Sequence, residues 1–247
     1  MNNVMINKKV EKLKAAGFIV RECLHMLSGE IKAGISTKAL EEMAVKFILS
    51  KNAKPAFLGY QGFPAGICAS VNEVVVHGIP SKKQILKAGD IIGVDVGVEY
   101  DGYFADAAKT FGVGNISEAA KRLIEVTLEA LRRGIAEAKE GNCIGDISWA
   151  VQSHAEANGF SVVRTFVGHG IGKKLHEDPE IPNFGEPHKG MRLENGMALA
   201  IEPMVNAGLK EVKILKDGWT APTVDGKLSA HFEHTVIVNE NQAEIVT

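Results

Sequence analysis

DIIGVDVGVEYDGYFADAAKTF, Asp90–Phe111, is the stretch that decides the fold. Two runs rich in β-branched, aromatic and small residues flank Asp101-Gly102, a pair that favours a tight turn between antiparallel strands. Ile91, Ile92, Val94, Val96 and Phe104 make both strands largely apolar, so the hairpin is predicted to be buried. Two acids, Asp95 and Asp106, stand inside that apolar setting. A turn taken at about Tyr100-Asp101 sets them directly opposite each other, with Cβ atoms about 4.5–5.5 Å apart on one face. Two buried carboxylates side by side repel, and they require a shared proton or a cation. In the alternative, the register is off by one residue and one Asp faces water.

Upstream, Val10, Leu13, Gly17, Val20, Leu24 and Leu27 recur at three- and four-residue steps, the spacing of one long amphipathic helix. Gly34 closes the following turn. A second helix is expected from about Thr37 to Leu49, and Pro55 bars its continuation. Ile67 to Val76 is rich in β-branched residues and reads as strand. Beyond the hairpin, helices are expected near Glu118–Ala138 and Asp146–Asn158, the second stopped by Gly159.

The downstream half repeats the upstream half. Lys32-Ala33-Gly34 precedes a helix, and so does Lys139-Glu140-Gly141, 107 positions later. Leu86-x-x-Gly89 leads to Asp95, and Leu193-x-x-Gly196 leads to Glu202 at the same offset. Two matches at one offset, each ending on a carboxylate, point to an internal duplication. After Glu202 the register slips by 20 residues, so that Phe104-Ala105-Asp106 matches His231-Phe232-Glu233, with the insertion holding Trp219. The chain is therefore read as one catalytic domain, 1–247, with half-repeats of approximately 1–112 and 113–247.

Glu202 ends the apolar run Met197–Ile201 and is followed by Pro203, while Glu233 sits on a second buried-looking strand. Lone acids at strand ends are usually solvated, but four at duplicated positions are not easily dismissed. His169 lies in Gly168-His169-Gly170-Ile171-Gly172, whose glycines let the backbone approach a ligand closely. That loop lacks the glycine spacing and the Lys-Ser/Thr ending of a phosphate cradle. Four carboxylates and one imidazole form an oxygen-rich set of charge near −4, which two divalent cations balance almost completely. Such donors suit Mn, Fe, Co or catalytic Zn, not a closed thiolate site. Two such cations can share a hydroxide and polarise a carbonyl together, which is hydrolytic chemistry. No Gly-x-Ser-x-Gly elbow and no His-Glu-x-x-His helix competes with it.

Composition narrows the class further. The 247 residues are 45% hydrophobic and 23% charged, with a formal net charge of −2, the balance of a soluble globular protein. Basic residues come in pairs such as Lys82-Lys83 and Lys173-Lys174, so no nucleic-acid surface is expected. Cys23, Cys68 and Cys143 form no Cys-x-x-Cys pair, and their odd number argues against a disulfide framework, which fits a cytoplasmic protein. Charges interrupt the apolar residues of MNNVMINKKVEKLKAAG, and no apolar run reaches membrane-spanning length, so neither a signal peptide nor a membrane span is expected.

Ser70-Val71-Asn72-Glu73 through His77-Gly78-Ile79-Pro80, Asp95, Asp106, Gly168–Gly172 through Leu175–Pro179, Ile201-Glu202-Pro203-Met204 and His231–Thr235 together resemble the type I methionine aminopeptidases, in their short form without an N-terminal extension. The resemblance runs over essentially the whole chain. It implies an α+β pita-bread fold, two pseudo-twofold-related halves with antiparallel sheets around a central dinuclear metal site. It implies that Asp95 chelates one metal, that Asp106 and Glu233 bridge both, and that His169 and Glu202 complete the other shell. Glu202 is then also the general base for a hydroxide shared by the two cations, which attacks the scissile carbonyl. His77 and His176 match the family's two non-ligand histidines, which bind the scissile amide and stabilise the tetrahedral intermediate. Tyr60, Phe63, Cys68, His77, Leu175, His176, Met204 and Trp219 fall where the family builds its methionine pocket. Asn72 and Ser229 resemble contacts of a monovalent cation. The implied activity is removal of the initiator methionine from nascent polypeptide N-termini when the second residue is small, by a monomer in transient association with the ribosome. A related peptidase acting on X-Pro bonds is the first alternative, though such enzymes usually carry an additional N-terminal domain. A non-catalytic peptide- or ribosome-binding scaffold is the second, though scaffolds typically lose metal ligands and here all five are present.

Overall fold

The computed structural model describes residues 3–247. The two upstream helices form as their apolar spacing requires, α1 over Asn3–Glu30 and α2 over Thr37–Ser50. Ser36 caps α2, its hydroxyl accepting from the Ala39 N–H at 3.1 Å. Five strands follow: β1 (Lys54–Pro55), β2 (Cys68–Val71), β3 (Val74–Val76), β4 (Ile91–Tyr100) and β5 (Tyr103–Gly112). The run expected as one strand from Ile67 to Val76 is thus two, because Asn72 adopts φ 55° and turns the chain between β2 and β3.

Helices α3 (Glu118–Glu137) and α4 (Ile144–Ala157) come next. The second begins before Asp146, because Asp146 is part of its cap: its Oδ2 accepts from the Cys143 N–H at 2.7 Å. The rest of the chain is built of short strands: β6 (Ser161–Val162), β7 (Gly168–Gly170), β8 (Glu177–Ile181), β9 (Ala198–Ile201), β10 (Met204–Asn206), β11 (Ala221–Pro222), β12 (Ser229–His231), β13 (His234–Ile237) and β14 (Glu244–Ile245).

β4 pairs with β1 and β2 along one edge and with β5 along the other, and a five-stranded sheet runs β14-β13-β9-β7-β8. Among the described residues, all strand pairings are antiparallel. Leu27, Leu40, Ile48, Ile92 and Val96 join α1 and α2 to the first sheet, while Leu131, Ile147, Leu199 and Val236 join α3 and α4 to the second.

Matching hydrogen bonds recur in the two halves. The Gly34 N–H donates to Leu86 O at 2.8 Å, and the Gly141 N–H donates to Leu193 O at 3.0 Å. Isolated bridges pair Ser36 with Ile85 and Cys143 with Arg192 at the same offset. The two sheets are tied directly. The Glu233 N–H donates to Ala108 O at 2.9 Å, the Asp106 N–H to Thr235 Oγ1 at 3.1 Å and the Phe104 N–H to Gly172 O at 2.8 Å.

The hairpin register differs from the direct pairing of Asp95 with Asp106. Tyr100 pairs with Tyr103, so the turn residues are Asp101 and Gly102, at φ 49° and 76°. Asp95 then faces Ala108, and Asp106 faces Gly97. The displacement is two positions, and side chains alternate with a period of two, so both acids stay on one face as diagonal neighbours.

Candidate active site

Five elements converge where the sheets meet. β4 supplies Asp95, β5 supplies Asp106, β7 supplies His169, the end of β9 supplies Glu202, and the junction of β12 and β13 supplies Glu233. His169 reaches in because its flanking glycines allow close backbone packing. A Cβ at Gly168 would stand 2.4 Å from Ala200 O, and one at Gly170 would stand 2.1 Å from Asp178 O.

Asp106, His169 and Glu233 are buried and each offers a ligand atom within 4.8 Å of the others. Asp106 Oδ2 lies 3.5 Å from His169 Nε2, and Glu202 Oε1 lies 3.7 Å from the same nitrogen. His169 Nδ1 is 2.9 Å from Gly170 O, an acceptor, which puts the ring proton on Nδ1 and leaves Nε2 a lone pair facing the acids. Thr235 fixes Asp106, its Oγ1 lying 3.0 Å from Oδ1.

These groups, with Asp95, form one wall of a cavity of about 190 Å³. Its other walls are Phe57, Tyr60, Gln61, Phe63, Cys68, His77, Leu175, His176 and Trp219. Phe63 and Trp219 pack edge to face at 5.1 Å. The Tyr60 hydroxyl lies 3.1 Å from His176 Nδ1, and the His176 ring packs against His169 at 4.2 Å. His77 adopts φ 58°, an uncommon conformation for a side-chain-bearing residue, and its ring packs between Phe166 at 5.1 Å and Trp219 at 6.1 Å. A broader groove of about 790 Å³ adjoins the cavity, and His77, His169, His176 and Glu202 line both.

Met204, expected in the pocket wall, is fully buried in a separate cluster with Val75, Val76, Val163 and Ala221. The Asn72 side chain accepts from the Ile91 N–H at 3.0 Å and donates to Asp90 at 2.9 Å. Its backbone oxygen accepts from the Ser229 N–H at 2.9 Å, while the Ser229 hydroxyl donates to Val205 O at 3.3 Å. Gln61 escaped notice in the sequence, and Thr235 and His231 stood in the quoted His231–Thr235 block with no role of their own. Thr235 follows Glu233 by two positions, the strand spacing that puts both on one side, and that spacing is the signal that could have revealed it.

Residues 11–240 match the model of metallopeptidase family M24. The chain belongs to that family. Among M24 relatives, it is 53% identical to methionine aminopeptidase 1 of Bacillus subtilis over 235 residues, which is 95% of this chain and 94% of the relative. The structure of methionine aminopeptidase from Thermotoga maritima is similar at a TM-score of 0.96 and 47% identity, covering 97% of this chain and 96% of that one. The prolidase of Pyrococcus furiosus shares the fold at a TM-score of 0.79 and 23% identity, and the match covers 97% of this chain but 64% of the prolidase. The pita-bread architecture is therefore that of the M24 family.

The donor set fits the divalent metal that an M24 metallopeptidase uses. Asp95 Oδ1 is buried with no hydrogen-bond partner, which a cation would supply. Burial, and then the charges of Asp106 and Glu202, push the Asp95 carboxyl well above the usual range. Glu233 is raised in the same way, and burial pushes Glu202 up to about 8. Without a cation these acids keep their protons, whereas in the unfolded chain they ionise near the ordinary carboxylate range. Their folded pKa values are raised, so the stability they contribute is complete below about pH 4.5 and is lost as pH rises through about 8. The melting temperature of the metal-stripped protein should therefore fall between about pH 5 and pH 8. Added Mn(II) should raise it more at the upper end. Melts with and without metal check this, and a metal-free melting temperature that climbs across the window would contradict it.

Proposed function

We propose that the chain is a metal-dependent aminopeptidase that removes the initiator methionine from nascent polypeptides when the second residue is small. One observation carries the reading: a small aromatic-walled cavity at the carboxylate cluster opens into a wider groove, and His77, His169, His176 and Glu202 form the border. At about 190 Å³ the cavity is below the size of drug-sized ligand sites and suits a single side chain. A peptide bond laid across that border leaves the terminal residue in the cavity and the rest of the chain in the groove. That is exopeptidase geometry.

Asp95, Asp106, His169, Glu202 and Glu233 would hold two divalent ions, of Mn, Fe, Co or Zn. When bound, such ions supply Lewis-acid polarisation of a carbonyl and lower the pKa of water. The protein does the rest. Glu202, at the border, takes the proton of the attacking water on a carboxylate oxygen and returns it to the leaving amine. The Tyr60 hydroxyl lies 3.1 Å from His176 Nδ1; with the hydroxyl as donor, the ring proton sits on Nε2, and that N–H stabilises the oxyanion. Burial holds His176 and His77 at about 4, so both act as neutral hydrogen-bonding groups near pH 7. His77, between the cavity and the groove, binds the scissile amide. Phe63, Cys68, Leu175 and Trp219 form a soft apolar seat for the thioether. Asp95 is the acid placed to bind the free α-amino group, together with the metal it would hold.

Several finer readings belong to the same proposal. The catalytic domain consists of two half-repeats, approximately 1–112 and 113–247, supported by the hydrogen bonds that recur at one offset. The Asn72 carbonyl oxygen, which accepts from the Ser229 N–H, and the Ser229 hydroxyl, which donates to Val205 O, would hold a monovalent cation. The enzyme works in the cytoplasm as a monomer in transient association with the ribosome. Three unpaired cysteines support a reducing compartment, and no helix among the described residues is long and apolar enough to cross a membrane.

The test is release of free methionine from Met-Ala-Ser by metal-loaded protein, with acetyl-Met-Ala-Ser and an Xaa-Pro peptide as comparisons. Cleavage of the first alone supports the assignment, and faster cleavage of the Xaa-Pro peptide would reassign the enzyme. His77→Ala and His176→Ala should keep their metal while kcat falls about 10²–10³-fold, the cost of losing one transition-state hydrogen-bond donor. Loss of metal from either variant, measured by elemental analysis, would place that histidine among the ligands instead.

A further inference from the structure

His231 takes no part in the mechanism above, yet it is buried beside it. It ends β12 at 4% exposure, and its Nε2 is a buried nitrogen without a hydrogen bond of good geometry. Buried polar atoms without partners are rare in folded proteins, and each calls for a reason. Thr110 pins the backbone at this residue from both sides. Its hydroxyl donates to His231 O at 2.8 Å and accepts from the His231 N–H at 2.9 Å. From that anchored backbone the ring places Nε2 3.4 Å from Glu202 Oε2, within a small rotation of a hydrogen bond.

Glu202 thus lies between two imidazoles that offer opposite things. Toward Oε1, 3.7 Å away, His169 presents a lone pair, because its proton is spent on Gly170 O. A bound divalent cation would relieve the repulsion between that lone pair and the ionised carboxylate. Toward Oε2, the ionised carboxylate of the cation-bound site can only accept, so the partner it requires from His231 is an N–H.

We propose that His231 is a positioning residue that donates its Nε2–H to Glu202 Oε2 and so keeps Oε1 turned toward His169 and Asp106. The inference rests on the metallopeptidase reading of Glu202. It concerns the orientation of that carboxylate, not the pocket or the peptide. Partners of this kind fix the direction of a ligating side chain and are felt in metal affinity as well as in rate. A purely space-filling His231 would depend on volume and would be indifferent to the N–H.

His231→Gln keeps an N–H donor, whereas His231→Leu keeps bulk without one. Each variant is stripped of metal, titrated calorimetrically with Mn(II), and then assayed for methionine release from Met-Ala-Ser. The Leu variant should bind Mn(II) about 10–100-fold more weakly and lose kcat with little change in KM, while Gln should stay within about threefold of the parent in both. Should the Leu variant melt early, His231→Met takes its place in the same comparison. Mn(II) binding by the Leu variant as tight as the parent's would overturn the proposal, and so would equal impairment of Gln and Leu. If the parent releases no methionine, the proposed function fails, and the Mn(II) titration still decides the role of His231.

Discussion

Asp106→Asn should lose roughly three orders of magnitude or more in kcat/KM, the scale on which a single electrostatic group at a reacting centre registers. The substitution conserves shape. Asp106 is 2% exposed, and Thr235 lies 3.0 Å from its Oδ1, a contact that an amide oxygen can keep. What disappears is one negative oxygen 3.5 Å from His169 Nε2, in the trio whose ligand atoms lie closest together. The remaining acids would then face an under-filled site. A protein that still folds, shown by an unchanged circular dichroism spectrum, and turns over normally at saturating metal would sink the dinuclear reading.

The second large effect concerns the residue after methionine. Peptides beginning Met-Ala, Met-Gly and Met-Ser should be cleaved, and those beginning Met-Lys, Met-Glu and Met-Phe should resist by about 100-fold or more in kcat/KM, the upper range of discrimination by steric fit. The passage from cavity to groove runs past His77 and His176, and each ring is braced by two neighbours. His77 is packed between Phe166 and Trp219, and His176 between Tyr60 and His169. A second side chain larger than a few atoms must displace one of them. Within the cavity itself, discrimination between methionine and leucine should be modest, because apolar shape differences are worth only about 1–3 kcal/mol. A peptide series varying the second residue alone checks this, and equal kcat/KM for Met-Ala and Met-Phe would contradict it.

The acids could be read from the sequence because burial and charge conflict so sharply in β4 and β5. An Asp among Ile, Val and Gly has few explanations, and the repeat at Glu202 and Glu233 removed coincidence. The hairpin register was misjudged by two positions, since Tyr100-Asp101 and Asp101-Gly102 both make plausible turns. The shared face survived because two is the period of a strand. The short strands β1, β6 and β8 were illegible. Glu177–Ile181 is mostly polar, and its place at a sheet edge comes from pairing with His169 and its neighbours, not from any apolar alternation. Met204, which the resemblance places in the cavity wall, packs with Val75 and Val163. His231 looked like one more strand residue because its partner, Glu202, is distant in sequence and meets it only in the folded chain.

Stepwise return of divalent metal to stripped protein tests the central claim most directly. Methionine release from Met-Ala-Ser is followed anaerobically as Mn(II), Fe(II), Co(II) or Zn(II) is added in increments. The metal-free protein should be silent, and at least one ion should restore turnover, with binding complete at two equivalents per chain. Full activity in the stripped protein, or no restoration by any of these ions in a protein that binds them, would contradict a metal-dependent aminopeptidase at this site.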